Sequence, residues 1–365
     1  GSAADPDLAL RQFLRIVEGC DARLRAGLGA DEAFRGRVID VVGASEALGD
    51  FLVRDHASLD LLADADRLAQ SPSPVEARAS LLGAVGAIPQ SQEPVAEAPA
   101  DGGSVADALR VAYRRWLVGI AVRDLSGLAG MESVAAWLSD LADATLEAAL
   151  AIARYEVGES AFTCRLAIIG MGKCGGRELN YISDVDVIFV AEAADGCDES
   201  DALRAASLLA AGLMRACSEV TAEGSIWEVD AALRPEGKQG ALIRTLPSHL
   251  GYYERWASTW EFQALLKARF CAGDADLGAR YMDAISPLVW KAADRPDFVA
   301  DVQSMRKRVE DHIPAAIAER EIKLGPGGLR DVEFSVQLLQ LVHGRSDVML
   351  RSATTLIALE ALATW

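Results

Sequence analysis

Two short apolar runs on either side of a glycine-rich turn constrain the fold of this chain more than any other feature. The first, Arg165-Leu-Ala-Ile-Ile-Gly170, ends in glycine, and the second is Asp184-Val-Asp-Val-Ile-Phe-Val190. Short β-branched runs bounded by glycines predict buried strands. Side chains alternate along a strand, so Asp184 and Asp186 project to one side. Their neighbours Val185, Val187, Ile188 and Phe189 are apolar. Two carboxylates held there repel each other and resist desolvation. A divalent cation relieves both costs, and magnesium favours one or two carboxylates together with phosphate oxygens. A third strand is expected at 226–233, before Pro235. If it lies beside the second, Asp230 completes a three-carboxylate nest, where two metals could stabilise the attacking and leaving oxygens of a displacement at phosphorus. Alternatively, the Asp-Val-Asp pattern marks only a solvated strand end.

The upstream loop shifts that balance. It reads Gly170-Met-Gly-Lys-Cys-Gly-Gly-Arg-Glu-Leu-Asn180. Glycines let backbone approach phosphate closely, and exposed N–H groups with a lysine make an anion cradle. Gly172, Lys173, Gly175 and Gly176 are the candidates, with Ser183 just before the first aspartate. Only six of the 36 basic residues are lysine, so Lys173 is a pointed choice in such a loop. Gly170-x-Gly172-x-x-Gly175 matches a dinucleotide fingerprint. A Rossmann unit, however, needs a crossover helix of roughly ten residues or more, and seven residues separate Gly176 from Asp184. The lysine-serine/threonine ending of a P-loop is absent.

Around this centre the pattern is helical. Residues 5–84, 105–128 and 132–155 carry helical periodicity, and Ser200 can cap a helix reaching about Val220. Prolines and glycines at 86–104 predict a mobile surface linker. Three regions follow: helical residues 1–160, a catalytic domain at 161–300 and a helical segment at 301–365. The formal net charge of −18 argues against nucleic acid and anionic membranes as partners. Six cysteines form no CxxC pair and four histidines are scattered, which argues against zinc. With no signal peptide and no membrane-length apolar run, a cytoplasmic location is expected. The leading Gly1-Ser2 and the uncapped helical pattern at Trp365 are expected of a fragment.

The order of strand, Gly-Lys-x-Gly, short connector, Ser-Asp-x-Asp strand, helix and aspartate-bearing strand resembles the nucleotidyltransferase superfamily that includes DNA polymerase beta. Lys173 stands where that superfamily usually has serine. Three longer blocks narrow the resemblance: Ile169–Phe189; Glu228-Val-Asp-Ala-Ala-Leu-Arg-Pro-Glu-Gly237 with Thr259-Trp-Glu-Phe-Gln-Ala-Leu-Leu-Lys-Ala-Arg269; and Lys323-Leu-Gly-Pro-Gly-Gly-Leu-Arg-Asp-Val-Glu-Phe334. Together they are similar to the bifunctional glutamine synthetase adenylyltransferase/adenylyl-removing family, over nearly the whole chain. The resemblance implies an α+β fold, mostly helical around a small mixed sheet. It implies Mg²⁺ (two ions, with Mn²⁺ as a substitute) at Asp184, Asp186 and Asp230. Its implied partners are glutamine synthetase, phosphate and ADP or ATP, a PII-type nitrogen-signalling protein, and the other half of the bifunctional enzyme.

One half of that family transfers AMP from ATP to a tyrosine of glutamine synthetase; the other removes it by phosphorolysis. Arg-Glu-Leu-Asn180 and the Lys323 block resemble the removing, N-terminal half. The transferring half and a non-catalytic regulatory domain are the alternatives. This chain departs from the family pattern at Ala232, often arginine, and at Cys174, often leucine. Residues 230–270 carry six Lys/Arg against four Asp/Glu, as a phosphate site requires. Arg234, Lys267, Arg269 and Lys323 are the further phosphate or nucleotide candidates, whereas Arg244 and Arg255 read as surface charges. Arg330, Asp331 and Glu333 offer either a contribution to the site or an ion-pair network at a helix start.

Overall fold

The computed structural model describes residues 3–100, 102–296, 298–311, 313 and 320–365; Gly1 and Ser2 lie outside them. The chain divides into two compact units, one reaching to Ile152 and including Glu219–Ile226, the other comprising Ala153–Ser218 and Trp227–Trp365.

The first unit is helical, as its periodicity predicts. Helices α1–α7 occupy 6–84, followed by α8 (Val105–Leu125) and α9 (Met131–Val157), the last running past the division. Asp5, Asp21, Asp31, Ser45, Ser73 and Ser104 each cap a helix by accepting a first-turn N–H, satisfying donors that have no intrahelical partner. Phe34, Val38, Phe51, Leu52, Leu59, Val118 and Val122 fill the core. The expected mobile linker at 86–104 is instead pinned between residues 89 and 97. Ala96 N–H donates to Ala151 O at 3.0 Å, Glu97 N–H to Val85 O at 2.9 Å, and Arg78 reaches Pro89 O at 2.6 Å. Ala87 and Ala96 are buried. Proline and glycine excluded regular structure there without excluding burial.

The second unit holds the sheet: β1 (Cys164–Gly170), a one-turn helix α10 (Gly172–Gly175), β2 (Val185–Ala193), α11 (Glu199–Ser218), β3 (Val229–Asp230) and β4 (Ile243–Arg244). Then come α12 (Leu246–Arg255), α13 (Thr259–Leu265), β5 (Arg269–Gly273), α14 (Ala275–Trp290), α15 (Phe298–Asp311), α16 (Leu329–His343) and α17 (Thr355–Thr364). β1 lies antiparallel between β2 and β5, while β3 and β4 both run parallel to β2. This is the expected small mixed sheet in a mostly helical chain. Ile188 and Val190, both fully buried, share a strand face with Asp186 and pack with Ala167, Ile169, Tyr281 and Ile285 in one core.

Three expectations change. The third strand is only two residues long, because the chain turns after Asp230: Ala232 N–H donates to the Asp230 carboxylate and Arg234 N–H to Ala231 O. Asp198, not Ser200, caps α11, accepting from Ser200 and Asp201 N–H at 2.9 and 3.1 Å. The segment expected to stand apart after residue 300 belongs to the same unit as the sheet.

Arg110, wholly buried in the first unit, donates to Ala106 O at 2.8 Å, Glu219 O at 2.5 Å and Gly224 O at 2.7 Å. It fastens the 219–226 excursion to α8. Arg110→Ala removes the donors that join Glu219 O and Gly224 O to α8 and opens a cavity, so we expect a loss on the order of 3 kcal/mol. Urea denaturation measures it, and an unchanged midpoint would refute the fastening.

Candidate active site

Strand pairing assembles the carboxylates. β3 pairs with β2 in parallel, with Val229 opposite Val185 and Asp230 opposite Asp186. Asp184 lies one residue before β2 and is exposed, whereas Asp186 and Asp230 are half-buried. One carboxylate oxygen from each of the three lies within 4.8 Å of the others. The 2.7 Å bond from Ala232 N–H orients Asp230. Burial pushes the Asp186 carboxyl up to about 6, Asp184 and Asp230 push it the same way, and Lys173 and Arg330 pull against them. Three convergent hard oxygen donors with too little cationic compensation match the chemistry of a divalent-cation site.

The glycine-rich loop lies against this nest. Met171 N–H donates to Asp186 O at 2.8 Å. Gly172 adopts φ +51°, and a Cβ there would land on the Asp186 carboxylate, so only glycine permits both the turn and the approach. Lys173 Nζ lies 3.4 Å from Ser183 Oγ, which puts the loop lysine beside the aspartate strand. A Cβ on Gly175 would strike Lys267 O and Gly170 O. The Gly175 and Gly176 N–H groups are consumed within the turn, by Met171 O and Gly172 O. These two glycines therefore serve close packing rather than donation to an anion.

Of the predicted residues, the structure brings together Asp184, Asp186, Asp230, Gly172, Lys173 and Ser183. The cations at 234, 267 and 269 depart from expectation. Lys267, 5% exposed, is enclosed by Glu178 Oε2 at 2.5 Å, Glu333 Oε1 at 3.1 Å and Thr355 Oγ1 at 3.0 Å. Arg269 donates to Cys174 O and Gly175 O at 3.0 and 3.3 Å, bracing the loop from behind. Arg234 donates to Ala231 O, Lys238 O and Gly240 O at 2.7, 3.1 and 3.1 Å, closing the turn after Asp230. Each has its hydrogen-bonding capacity directed at the protein itself. Lys323 is exposed, and its carbonyl accepts from Arg330 N–H. From its block, the charge that bears on Asp186 is that of Arg330.

Asp331 pairs with Arg306 and Glu333 with Lys267, so the ion-pair reading of that block holds while the charge of Arg330 also bears on Asp186. Glu178 was missed altogether. It accepts from Lys267 and from Thr355 N–H and Oγ1, and Thr354 Oγ1 donates to Gly176 O at 2.9 Å. A lone carboxylate in a glycine-rich loop was the only available signal.

Two outcomes follow. Lys267→Met removes the cation shared by the half-buried Glu178 and Glu333, and should cost on the order of 1.5–3 kcal/mol; a residue serving only to bind phosphate would leave the melting temperature unchanged. Asp186 behaves in the opposite sense. Its folded carboxyl is raised, so the folded state holds the proton more tightly and stability falls as pH rises from about 4 through 6. At pH 7 in EDTA, Asp186→Asn should therefore stabilise the protein by on the order of 1–3 kcal/mol. Added Mg²⁺ should reverse the ranking, because only the unsubstituted nest gains from it. A variant melting below the parent in EDTA would refute this account.

Comparison with known proteins places this geometry. The family profile described as glutamate-ammonia ligase adenylyltransferase matches residues 35–284, and that described as GlnD PII-uridylyltransferase matches residues 297–364. The chain is 55% identical over 368 residues to the bifunctional glutamine synthetase adenylyltransferase/adenylyl-removing enzyme of Streptomyces avermitilis, covering 100% of this chain and 35% of that protein. It is 48% identical over 369 residues to the protein of that name from Mycobacterium tuberculosis H37Rv, covering 99% and 34%. It thus spans about a third of the length of these curated relatives. No helix among the described residues is long and apolar enough to cross a membrane. With a family profile matching most of the chain and identity along its whole length, the chain belongs to the glutamate-ammonia ligase adenylyltransferase family of nucleotidyltransferases.

Proposed function

We propose that this chain catalyses phosphorolytic removal of AMP from the adenylylated tyrosine of glutamine synthetase, releasing ADP. The convergence of Asp184, Asp186 and Asp230 within 4.8 Å carries the nucleotidyl-transfer part of this reading. The direction is supported by the Arg-Glu-Leu-Asn180 and Lys323-Leu-Gly-Pro-Gly-Gly-Leu-Arg330 blocks, which resemble the removing half.

Asp184, Asp186 and Asp230 would hold one or two Mg²⁺ ions, with Mn²⁺ as a substitute. Ions held there would supply charge neutralisation at phosphorus and at the leaving tyrosine phenolate, whose proton affinity corresponds to a pKa of about 10. The protein's own groups bind and orient. Lys173, steadied by Ser183, offers a cation to the incoming phosphate, and Arg330, whose charge bears on Asp186, offers a second. Gly172 keeps the loop close enough to Asp186 for both to act on one phosphoryl group. No histidine is needed as an acid, because a phenolate departs without prior protonation once its charge is met.

Glutamine synthetase is the proposed protein partner, with phosphate, ADP and ATP as small-molecule ligands. The match of 297–364 to the PII-uridylyltransferase profile supports a further partnership with a PII-type signalling protein. The length of the relatives supports a second catalytic half on the same polypeptide.

Incubation with adenylylated glutamine synthetase, phosphate and Mg²⁺ should release ADP. AMP incorporation from ATP into unmodified glutamine synthetase, without phosphate-dependent ADP release, would instead assign the transferring reaction. Lys173→Ala should raise the phosphate concentration needed for half-maximal rate by about tenfold or more, as loss of a charge-assisted contact costs roughly 1.5–3 kcal/mol. Unchanged phosphate dependence would reduce Lys173 to a loop brace.

A further inference from the structure

We propose that Cys174 and Cys271 form an oxidation-sensitive dithiol pair whose disulfide draws the glycine-rich loop away from the carboxylate nest. Its consequence for activity rests on the function proposed above; its chemistry does not. The two sulfurs lie within 4.8 Å of each other. Their meeting has a local cause. The β1–β5 register passes from Ile169 opposite Phe270 to Ile168 opposite Ala272, so Cys271 is the extra residue of a β-bulge. A bulge re-aims the side chain it carries. Facing it is Gly170, where a Cβ would collide with Cys271 Sγ and sit 3.5 Å from Cys174 Sγ. A glycine thus leaves open the space in which two thiols converge.

The two positions differ in access. Cys174 is buried and Cys271 is partly exposed, so Cys271 meets an oxidant first and Cys174 resolves it. With a hydroperoxide such as hydrogen peroxide, the Cys271 thiolate attacks one peroxide oxygen. The S–O bond forms, the O–O bond breaks, and the departing oxygen leaves as water after protonation. Sulfur is oxidised by two electrons to a sulfenic acid and the peroxide is reduced. Cys174 sulfur then attacks the sulfenic sulfur. The S–S bond forms, the S–O bond breaks, and the hydroxyl leaves with the Cys174 proton as a second water.

Closing to a disulfide of ~2.05 Å pulls α10 toward β5. The C-terminal end of α10 is already tied, to β5 by Arg269 on Cys174 O and Gly175 O and to the start of α17 by Thr354 on Gly176 O. The displacement therefore falls on Gly172 and Lys173, the residues against Asp186 and Ser183. The remaining cysteines provide controls, since Cys20, Cys164 and Cys217 are buried and Cys197 is exposed.

The test treats the chain with hydrogen peroxide and reads three quantities: disulfide-linked peptides by mass spectrometry, amide exchange of residues 171–177, and calorimetric affinity for Mg²⁺-ADP. We expect a Cys174–Cys271 link, faster exchange in the loop and at least a tenfold loss of Mg²⁺-ADP affinity, all reversed by dithiothreitol. Cys271→Ser, or Cys271→Ala if the serine variant folds poorly, should bind Mg²⁺-ADP like the parent and resist peroxide. Oxidation confined to Cys197, or a link that leaves loop exchange unchanged, would overturn the proposal. A reduced parent that does not bind Mg²⁺-ADP would count against the proposed function, and the link and the exchange data would still decide the switch.

Discussion

Mutual repulsion among three carboxylates is the constraint around which the second unit is organised. Asp186 cannot relax away from its neighbours, because it shares a strand face with the fully buried Ile188 and Val190. Asp230 is held by its register opposite Asp186 and by the Ala232 N–H. The charges bearing favourably on Asp186 are those of Lys173 and Arg330, one on the loop and one at the start of α16. The net effect of burial and of the neighbouring carboxylates is to raise Asp186; a divalent ion can relieve that repulsion, which otherwise costs the metal-free fold stability. A site of this kind is maintained against its own electrostatics, by strand pairing in front and by packing behind.

The packing behind it is unusually polar. Lys267 draws together Glu178 from the glycine-rich loop, Glu333 from α16 and Thr355 from α17, while Thr354 and Arg269 hold the loop's carbonyls. Every one of these contacts stabilises a segment that carries no regular ladder of its own. Burying a lysine is tolerable here because two carboxylates and a hydroxyl surround it, and removing any member would leave the others uncompensated. The helices after residue 320 are thus part of the site's support.

Much of this was legible in the sequence, and the failures share one cause. The aspartate strand, the loop and the third aspartate were readable because alternation, glycine spacing and charge on an apolar strand are local signals. β4 and β5 were not, since a two-residue strand and a bulged one carry no alternation to detect. Lys267 and Arg269 were expected to hold phosphate because a local excess of cations needs anions. Their actual partners are an ion pair 89 residues away and backbone carbonyls more than 90 residues away. Composition reveals that a charge must be met, and only the fold reveals by what. Gly175 was singled out for the right place and the wrong reason: its bare Cα makes room for Lys267 O, not for an anion.

That distinction bears on how a single nest could serve opposite reactions. On the proposed reading, the carboxylates and any metal they hold would act on the phosphorus of AMP whichever way it moves, so they would not select between phosphate and tyrosine as the incoming group. Selection must come from groups that are close to the nest and whose cationic heads are not already absorbed by the protein. Arg234, Lys267 and Arg269 fail that test through their internal bonds. Among the described residues, Lys173 has a single 3.4 Å contact with a hydroxyl, and Arg330 has a carboxylate only at 4.0 Å, with its guanidinium over the Phe334 ring. A small, doubly charged nucleophile such as phosphate gains more from two weakly engaged cations than a neutral tyrosine does. On the proposed reading, the preference for phosphorolysis therefore resides in Lys173 and Arg330, and the aspartates supply the chemistry common to both directions.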